Sequence, residues 1–266
     1  MLHPGSPPRT PVSERTIFLR RYGQVSSEVT AAVYSPEEIQ EINERLKVRP
    51  AEEIVRWASE TFGSEIAMAS SFGAEDVVLI DIIAKVAPKL RIFTLDTGRL
   101  HEETYDVMER IRVHSGVPIH SYFPDREAVE QLEKEKGFYS FRESLENRKE
   151  CCGIRKMEPL RRALSGQKAW MTGLRSAQSV TRTEMAALEW DEGNGMAKVN
   201  PLIAWSDDQV WEYIRANNVP YNALHDKGFP SIGCAPCTRA VKPGEDIRAG
   251  RWWWENPENK ECGLHG

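Results

Sequence analysis

Apolar and polar residues alternate along the chain in a pattern that predicts strands and helices in turn. Short apolar runs predict strands at residues 65–69, 90–95, 117–123 and 168–172. Residues 75–86, 102–114 and 126–135 lie between or after these runs and show the composition and apolar spacing of helices. Strands that alternate with helices of about a dozen residues indicate βαβ units and a parallel sheet.

Further elements are predicted on both sides of this core. Ser35, Pro36 and two following acids are a helix-start pattern, and a second helix is expected at residues 51–61. Residues 184–190 and 197–202 predict a hairpin, and Ser206 predicts the cap of a helix at residues 207–216. The chain beyond residue 219 is rich in Gly, Pro and Trp and is expected to be mostly loop.

The domain organisation follows from this pattern. Residues 1–30 contain many Pro, Ser and Arg and few apolar residues, which predicts a disordered tail. We expect one α/β domain at residues 31–247 and a separate C-terminal segment at residues 248–266.

Composition and charge narrow the class of protein. The chain has 266 residues, of which 40% are hydrophobic, and a net charge of −5, which argues against a general nucleic-acid binder. No apolar run approaches the roughly 18 residues that a membrane span requires. The N-terminus lacks the apolar region of a secretory signal, so we expect a cytoplasmic protein, with an organellar transit peptide as the alternative.

Small and polar residues follow three of the predicted strands, where an open α/β sheet binds its ligands. The three segments are Ser70-Ser71-Phe72-Gly73-Ala74-Glu75-Asp76, Leu95-Asp96-Thr97-Gly98-Arg99-Leu100 and Thr172-Gly173-Leu174-Arg175. Glycine and serine at the start of a helix let N–H and hydroxyl groups approach an anion. We therefore predict an anionic-ligand site here. The alternative is a set of ordinary turns, with Arg175 as a surface charge.

Four of the five cysteines occur in two close pairs, Cys151-Cys152 and Cys234-Ala235-Pro236-Cys237. Four thiolates can bind either a zinc ion or a 4Fe-4S cluster. Adjacent side chains diverge by about 100° in a helix, which suits the separated irons of a cluster better than one ion. Arg155 and Lys156 follow the first pair and could stabilise an anionic cluster and hold an anionic substrate beside it.

The fifth cysteine, Cys262, lies in the tail Glu261-Cys262-Gly263-Leu264-His265. A thiolate nucleophile needs a cationic setting, and Arg248 and Arg251 lie upstream of this tail. Cys262 is therefore a candidate nucleophile, and the alternative is an incidental exposed thiol.

Together these motifs resemble the assimilatory adenylyl-sulfate reductases of the adenylyl-sulfate and phosphoadenylyl-sulfate reductase family. The similarity runs from about residue 65 to residue 265 and rests on the three strand-end segments, both cysteine pairs and the tail. It implies an adenine-nucleotide α-hydrolase-like, Rossmann-like fold with a mostly parallel sheet flanked by helices and a mobile C-terminal tail. It also implies reduction of adenosine 5′-phosphosulfate (APS) to sulfite and AMP through an S-sulfocysteine.

The resemblance assigns a role to individual residues. Cys262 is the implied catalytic residue, and Cys151, Cys152, Cys234 and Cys237 are the implied ligands of a 4Fe-4S cluster. The implied substrate-binding residues are Ser70, Ser71, Gly73, Asp76, Leu95, Thr97, Lys156, Gly173, Arg175, Arg182, Arg248, Arg251 and His265.

The resemblance also implies partners and leaves alternatives. Thioredoxin or glutaredoxin is the implied reductant, since the chain ends too soon for the fused thioredoxin-like domain of plant enzymes. A homo-oligomer is possible on this reading. The alternatives are a cluster-containing reductase of the 3′-phosphorylated substrate (PAPS), an ATP-pyrophosphatase-type thiolation enzyme and a zinc-stapled nucleotide-binding module.

Overall fold

A six-stranded sheet organises the part of the chain that a computed structural model describes, residues 34–176 and 186–256. Its strand order is β3-β2-β1-β4-β6-β5. All neighbouring strands run parallel except β5, which pairs antiparallel with β6 at the edge. The mostly parallel α/β sheet expected from the sequence is confirmed.

The elements follow one another in the predicted alternation. The strands are β1 (Ile66–Ser70), β2 (Arg91–Leu95), β3 (Ile119–Tyr122), β4 (Ala169–Met171), β5 (Leu188–Asp191) and β6 (Met196–Val199). The helices are α1 (Pro36–Leu46), α2 (Ala51–Phe62), α3 (Ala74–Val86), α4 (Glu102–Ser115), α5 (Arg126–Lys136), α6 (Leu145–Cys152), α7 (Glu158–Leu164) and α8 (Asp207–Ala216). A π-helical turn, Gly153–Met157, joins α6 to α7.

Helices cover both faces of the sheet. Helix α3 is buried along nearly its whole length and packs against α2, α4 and α8. Helix α7 covers the opposite face, where Leu160 and Leu164 pack with Phe93 and Trp170. Successive residues of β1 point to opposite faces, so both faces must be apolar, which explains the uninterrupted apolar run in the sequence.

One buried carboxylate ties three helices together. Asp81 of α3 accepts hydrogen bonds from Tyr213 of α8 (2.8 Å) and from Lys85 (2.7 Å), and it contacts His114 Nε2 of α4 at 3.0 Å. Burial alone would raise the pKa of Asp81, but the hydrogen bonds from Lys85, Tyr213 and His114 outweigh it and lower that pKa. We call this set the Asp81 network.

The sequence pattern does not predict the segment α6–π turn–α7. The buried residues of α6 are Arg148 and Cys151, so the helix has no apolar stripe that periodicity could detect.

In the described part of the chain, each helix is too short or too polar to cross a bilayer.

Candidate functional site

A cavity of about 300 Å³ lies at the carboxyl ends of β1, β2 and β4. Its wall contains the three strand-end segments identified in the sequence, together with residues 230–234 and residues of the 247–251 segment. Parallel strands that end side by side place their following loops together, which is why these distant segments meet.

Every predicted substrate-binding residue that the structure describes lines this cavity. These residues are Ser70, Ser71, Gly73, Asp76, Leu95, Thr97, Lys156, Gly173, Arg175, Arg248 and Arg251. The remaining predictions, Arg182, His265 and the nucleophile Cys262, lie outside the described residues.

The turn between β1 and α3 is held by a buried carboxylate. Asp76 Oδ2 accepts hydrogen bonds from the Ser71 amide (2.6 Å) and the Ser71 hydroxyl (2.8 Å). Ser70 Oγ accepts from the amide of Phe72, whose φ of 59° lies in the left-handed region. Burial raises the pKa of Asp76 to about 6 against the opposing effect of the Ser71 hydrogen bonds. Asp76 thus shapes the turn through contacts within the protein.

Gly173 allows β4 to approach this turn closely. A Cβ atom at this position would lie 2.6 Å from Asp76 Oδ1 and 3.0 Å from Glu75 Cβ. Only a glycine fits at this distance, so the close packing of the two strand ends depends on it.

Arg175 lines the cavity but is already paired within the protein. Its side chain is 2% exposed and lies 2.7 Å from Glu75 and 3.0 Å from Asp207.

His225, which the sequence analysis missed, also lines the cavity. Its Nε2 atom is buried without a hydrogen-bond partner in the structure as described, and burial lowers its pKa. A lone histidine in a loop-rich segment carried no signal that could have identified it.

The four paired cysteines line a second, smaller cavity of about 20 Å³. Cys151 and Cys152 end helix α6, and Cys234 and Cys237 flank a short turn. The amide of Ala235 donates to the carbonyl of Arg99 at 2.8 Å, which fastens the second pair beside the end of β2. The two pairs, 82 or more positions apart in the chain, are thereby brought to one place.

Cationic side chains surround these thiols. Arg99, Arg148, Arg155, Lys156 and Arg251 line the same cavity as the cysteines. Arg155 is buried, and its Nη1 donates to the carbonyl of Thr97 at 2.8 Å, while the hydroxyl of Thr97 lies 3.3 Å from Cys234 Sγ. The setting favours an anionic group at the cysteines, as the sequence analysis expected for Lys156 and Arg155.

One acid on α5 bridges two of these arginines. Glu133 Oε1 lies 2.6 Å from Arg155 Nη2 and 3.2 Å from Arg99 Nη2. We call this contact the Glu133 bridge. Sequence reasoning missed both Arg99 and Glu133. Arg99 could have been found from its place at the end of β2, whereas Glu133 sits in a charged helix that gave no signal.

The thiols are strongly affected by their surroundings. Burial, aided by Cys234 and Cys152, raises the pKa of Cys237 to about 12, and burial also raises the pKa of Cys151. These directions describe the thiols without a metal, and coordination would displace their protons. Within the described ranges, no group of three or more His, Cys, Asp or Glu side chains is arranged so that it could hold a metal ion.

The two cavities share a wall. Lys156, Cys234 and Arg251 line both of them, so a group bound at the thiols would lie beside the cationic end of the larger cavity. Lys156 thus lies between the larger cavity and the cysteines, and its role toward a substrate stays a prediction.

The fold and the paired cavities define an α/β protein with a cavity at its strand ends that is lined in part by cationic side chains, and with four cysteines next to it. The chain belongs to the phosphoadenosine phosphosulfate reductase domain family, whose model matches residues 65–240.

Curated relatives agree with this assignment. The chain is 56% identical over 200 residues to the adenosine 5′-phosphosulfate reductase of Allochromatium vinosum, covering 75% of this chain and 78% of that protein. It is 54% identical over 198 residues to the enzyme of the same name from Neisseria meningitidis, covering 74% and 80%. The 5′-adenylylsulfate reductase 3, chloroplastic, of Arabidopsis thaliana is 45% identical over 252 residues, which cover 91% of this chain and 54% of that protein.

A solved structure supports the fold. The crystal structure of a phosphoadenylyl-sulfate reductase from Candida auris, in complex with phosphate, matches with a TM-score of 0.69 at 31% identity. The match covers 78% of this chain and 98% of that chain.

Proposed function

We propose that the protein reduces APS to sulfite and AMP with electrons from a dithiol protein, thioredoxin or glutaredoxin, in sulfate assimilation. The observation that carries this proposal is the cavity in which all the described candidate substrate residues meet, with its cationic end against the cysteine site. The names of the bacterial and plant relatives support the choice of substrate.

The cavity suits a nucleotide that carries a phosphosulfate. The strand-end turns offer small, polar walls for the nucleoside. Lys156 and Arg251 supply positive charge at the end next to the cysteines, and Arg248 adds a third cation to the cavity wall. These cations neutralise the phosphosulfate and stabilise the charge that develops on AMP as it leaves, so positioning and charge neutralisation are the main catalytic tasks of the protein.

The first half-reaction is a displacement at sulfur. The Cys262 thiolate attacks the sulfur of APS, forming a bond from Cys262 Sγ to the sulfo group and breaking the bond from sulfur to the bridging phosphate oxygen. AMP leaves with the electron pair of the broken bond. Arg175, which Glu75 and Asp207 already hold, positions the wall of the cavity during this step.

The second half-reaction releases sulfite. A thiolate of the reductant attacks Cys262 Sγ, and sulfite leaves with the electron pair of the broken S–S bond. The second thiol of the reductant then closes its own disulfide and frees Cys262, so the dithiol supplies two electrons per sulfite.

The decisive experiment separates binding from chemistry. Without reductant, the wild-type protein mixed with APS should release about one AMP per chain and gain one sulfo group, as expected of a covalent intermediate. Peptide mapping should place that group on the segment containing Cys262, and thioredoxin should remove it as sulfite. Cys262→Ser should bind AMP with unchanged affinity and lose turnover, because a serine hydroxyl is a far weaker nucleophile. Full turnover by this variant would disprove the mechanism.

We further propose that Cys151, Cys152, Cys234 and Cys237 hold a 4Fe-4S cluster. The residues present fit such a group, since four thiols converge on one cavity that is ringed by arginines and a lysine. When bound, the cluster supplies a cross-link between the two cysteine pairs and a local charge, while the electrons come from the dithiol. Lys156 stands between the two cavities and holds the anionic substrate close to this site.

Metal analysis of protein purified without oxygen tests the cluster. About four irons per chain and a brown colour are expected. Serine at any of the four positions should lower the iron content, whereas Cys262→Ser should leave it unchanged. Stoichiometric zinc in active protein would instead support the zinc-binding alternative.

The second candidate substrate is PAPS, which the name of the Candida auris relative favours. Kinetics on both nucleotides with excess thioredoxin distinguish them, and we expect the higher kcat/KM for APS. Family membership weighs against a thiolation enzyme. A cytoplasmic location and a homo-oligomeric state remain predictions.

A further inference from the structure

We propose that Arg148, Trp252 and Glu255 form an anchor that fixes the start of the C-terminal segment to the cysteine-bearing helix and thereby positions Cys262. This inference rests on the proposed function of Cys262. It gives a role to three residues that do not belong to the predicted nucleophile, substrate or cluster sets.

Glu255 determines where the catalytic tail begins. It lies seven residues before Cys262, a stretch that spans at most about 25 Å when extended. Moving Glu255 therefore moves the whole volume that the Cys262 thiol can reach. A fixed starting point shortens the search of the thiol for the bound substrate.

A buried ion pair holds Glu255 to helix α6. Arg148 Nε donates to Glu255 Oε1 at 2.8 Å, and the two side chains are only 1% and 9% exposed. Arg148 also interacts with the sulfur of Cys152, one turn further along the same helix. A single guanidinium thus connects a predicted cluster ligand to the start of the tail.

Trp252 reinforces this connection from the second cysteine pair. Its amide donates to the carbonyl of Cys237 at 3.0 Å, and its ring lies 4.7 Å from the guanidinium of Arg148 and 4.7 Å from that of Arg251. Its side chain is 1% exposed, and its φ of 39° is unusual for a residue with a side chain. Such a conformation persists only where the surroundings enforce it.

The anchor therefore joins both cysteine pairs to the same short segment. Arg148 carries the link from Cys152, and the Trp252 amide carries the link from Cys237. Arg251, which stacks on Trp252, also lines the cationic end of the substrate cavity. Residues 251–255 therefore contact both the cysteine site and the cationic end of the cavity.

Glu255→Gln is the most selective test, because it removes the negative charge of the ion pair and changes no residue of helix α6. At saturating APS and without reductant, the rate of S-sulfocysteine formation should fall about 10-fold to 100-fold, as expected for a misplaced reacting group. AMP affinity and iron content should stay within two-fold of wild type. Glu255→Asp, which keeps the charge, should restore part of the rate.

A control variant tests whether the loss of any ion pair slows the reaction. Glu65→Gln removes an exposed ion pair with Lys168, at side-chain exposures of 45% and 53%, and should leave the rate unchanged. A nitroxide attached to Cys262 in the AMP-bound holoprotein should show a narrower EPR spectrum in Glu255→Gln than in the wild type. This readout does not depend on turnover.

The outcomes distinguish the anchor from the function on which it rests. If the wild type forms S-sulfocysteine and Glu255→Gln forms it at the same rate, the anchor is disproved and the proposed function stands. A parallel loss of AMP affinity or iron in Glu255→Gln also overturns the anchor, since it indicates a general structural role. If the wild type forms no S-sulfocysteine, the proposed function itself fails.

Discussion

Replacement of Gly173 by alanine tests how the substrate cavity is built. The added Cβ would lie 2.6 Å from Asp76 Oδ1, 3.0 Å from Glu75 Cβ and 3.3 Å from the Asp76 amide nitrogen. The Asp76 carboxylate cannot simply turn away, because its other oxygen accepts two hydrogen bonds from Ser71 at 2.6 and 2.8 Å. The first turn of α3 therefore has to move away from the end of β4.

The expected cost follows from this overlap. Forcing one extra methyl group into a packed site destabilises a protein by about 1–3 kcal/mol. For a protein of this size, about 2 kcal/mol corresponds to a Tm lower by roughly 4–8 °C. The Ser71 turn lines the cavity and moves with α3, so AMP should also bind about ten-fold more weakly, equivalent to about 1.4 kcal/mol.

Thermal unfolding by circular dichroism and calorimetric titration with AMP measure the two effects. Gly73→Ala is the matched control for stability, since its Cβ would have only ordinary contacts, 3.8 Å from Ser71 Oγ and 3.8 Å from Glu75 Oε2. Its Tm should stay within about 2 °C of wild type. A Gly173→Ala protein with the Tm and AMP affinity of the wild type would show that the close approach is not a constraint.

Two further predictions concern charges away from the substrate. Glu133→Gln weakens the Glu133 bridge, which should raise the reduction potential of a bound cluster by roughly tens of millivolts, because it leaves cations beside the cluster uncompensated. Redox titration measures this potential. Glu158→Gln, which removes the ion pair between Glu158 and Arg162, is the control and should leave the potential unchanged. Asp81→Asn should lower the free energy of unfolding in urea at pH 7 by about 2 kcal/mol. Because the folded-state pKa of Asp81 lies below 3.8, the difference from wild type should persist at pH 5 and disappear only below about pH 3.8; a difference lost by pH 5 would contradict the Asp81 network.

The sheet could be predicted because burial on both faces leaves a direct trace in the sequence. The apolar run 65–69 corresponds to β1 within one residue, and the small residues after it do line a cavity. The turns at the strand ends could be interpreted as well, because parallel strands bring the turns that follow them to one edge of the sheet.

Features held by polar contacts between distant segments could not be predicted. Helix α6 buries Arg148, which looks like a surface residue in the sequence. The partner of Arg148 is Glu255, 107 positions away, and no local pattern reveals such a pair. Arg175 lines the cavity as expected, but its pairing with Glu75, 100 positions earlier, became visible only in the structure.

The π-helical turn Gly153–Met157 constrains how this region can vary. It lies directly between Cys152, which ends α6, and Glu158, which begins α7, so one backbone run carries both the thiols and the apolar residues that cover the sheet. Deleting one residue in the turn would rotate one side relative to the other by about 100°. Either the thiols or Leu160 and Leu164 would then face the wrong way. The length of the turn is therefore constrained, and engineered variants of this segment should preserve its residue count.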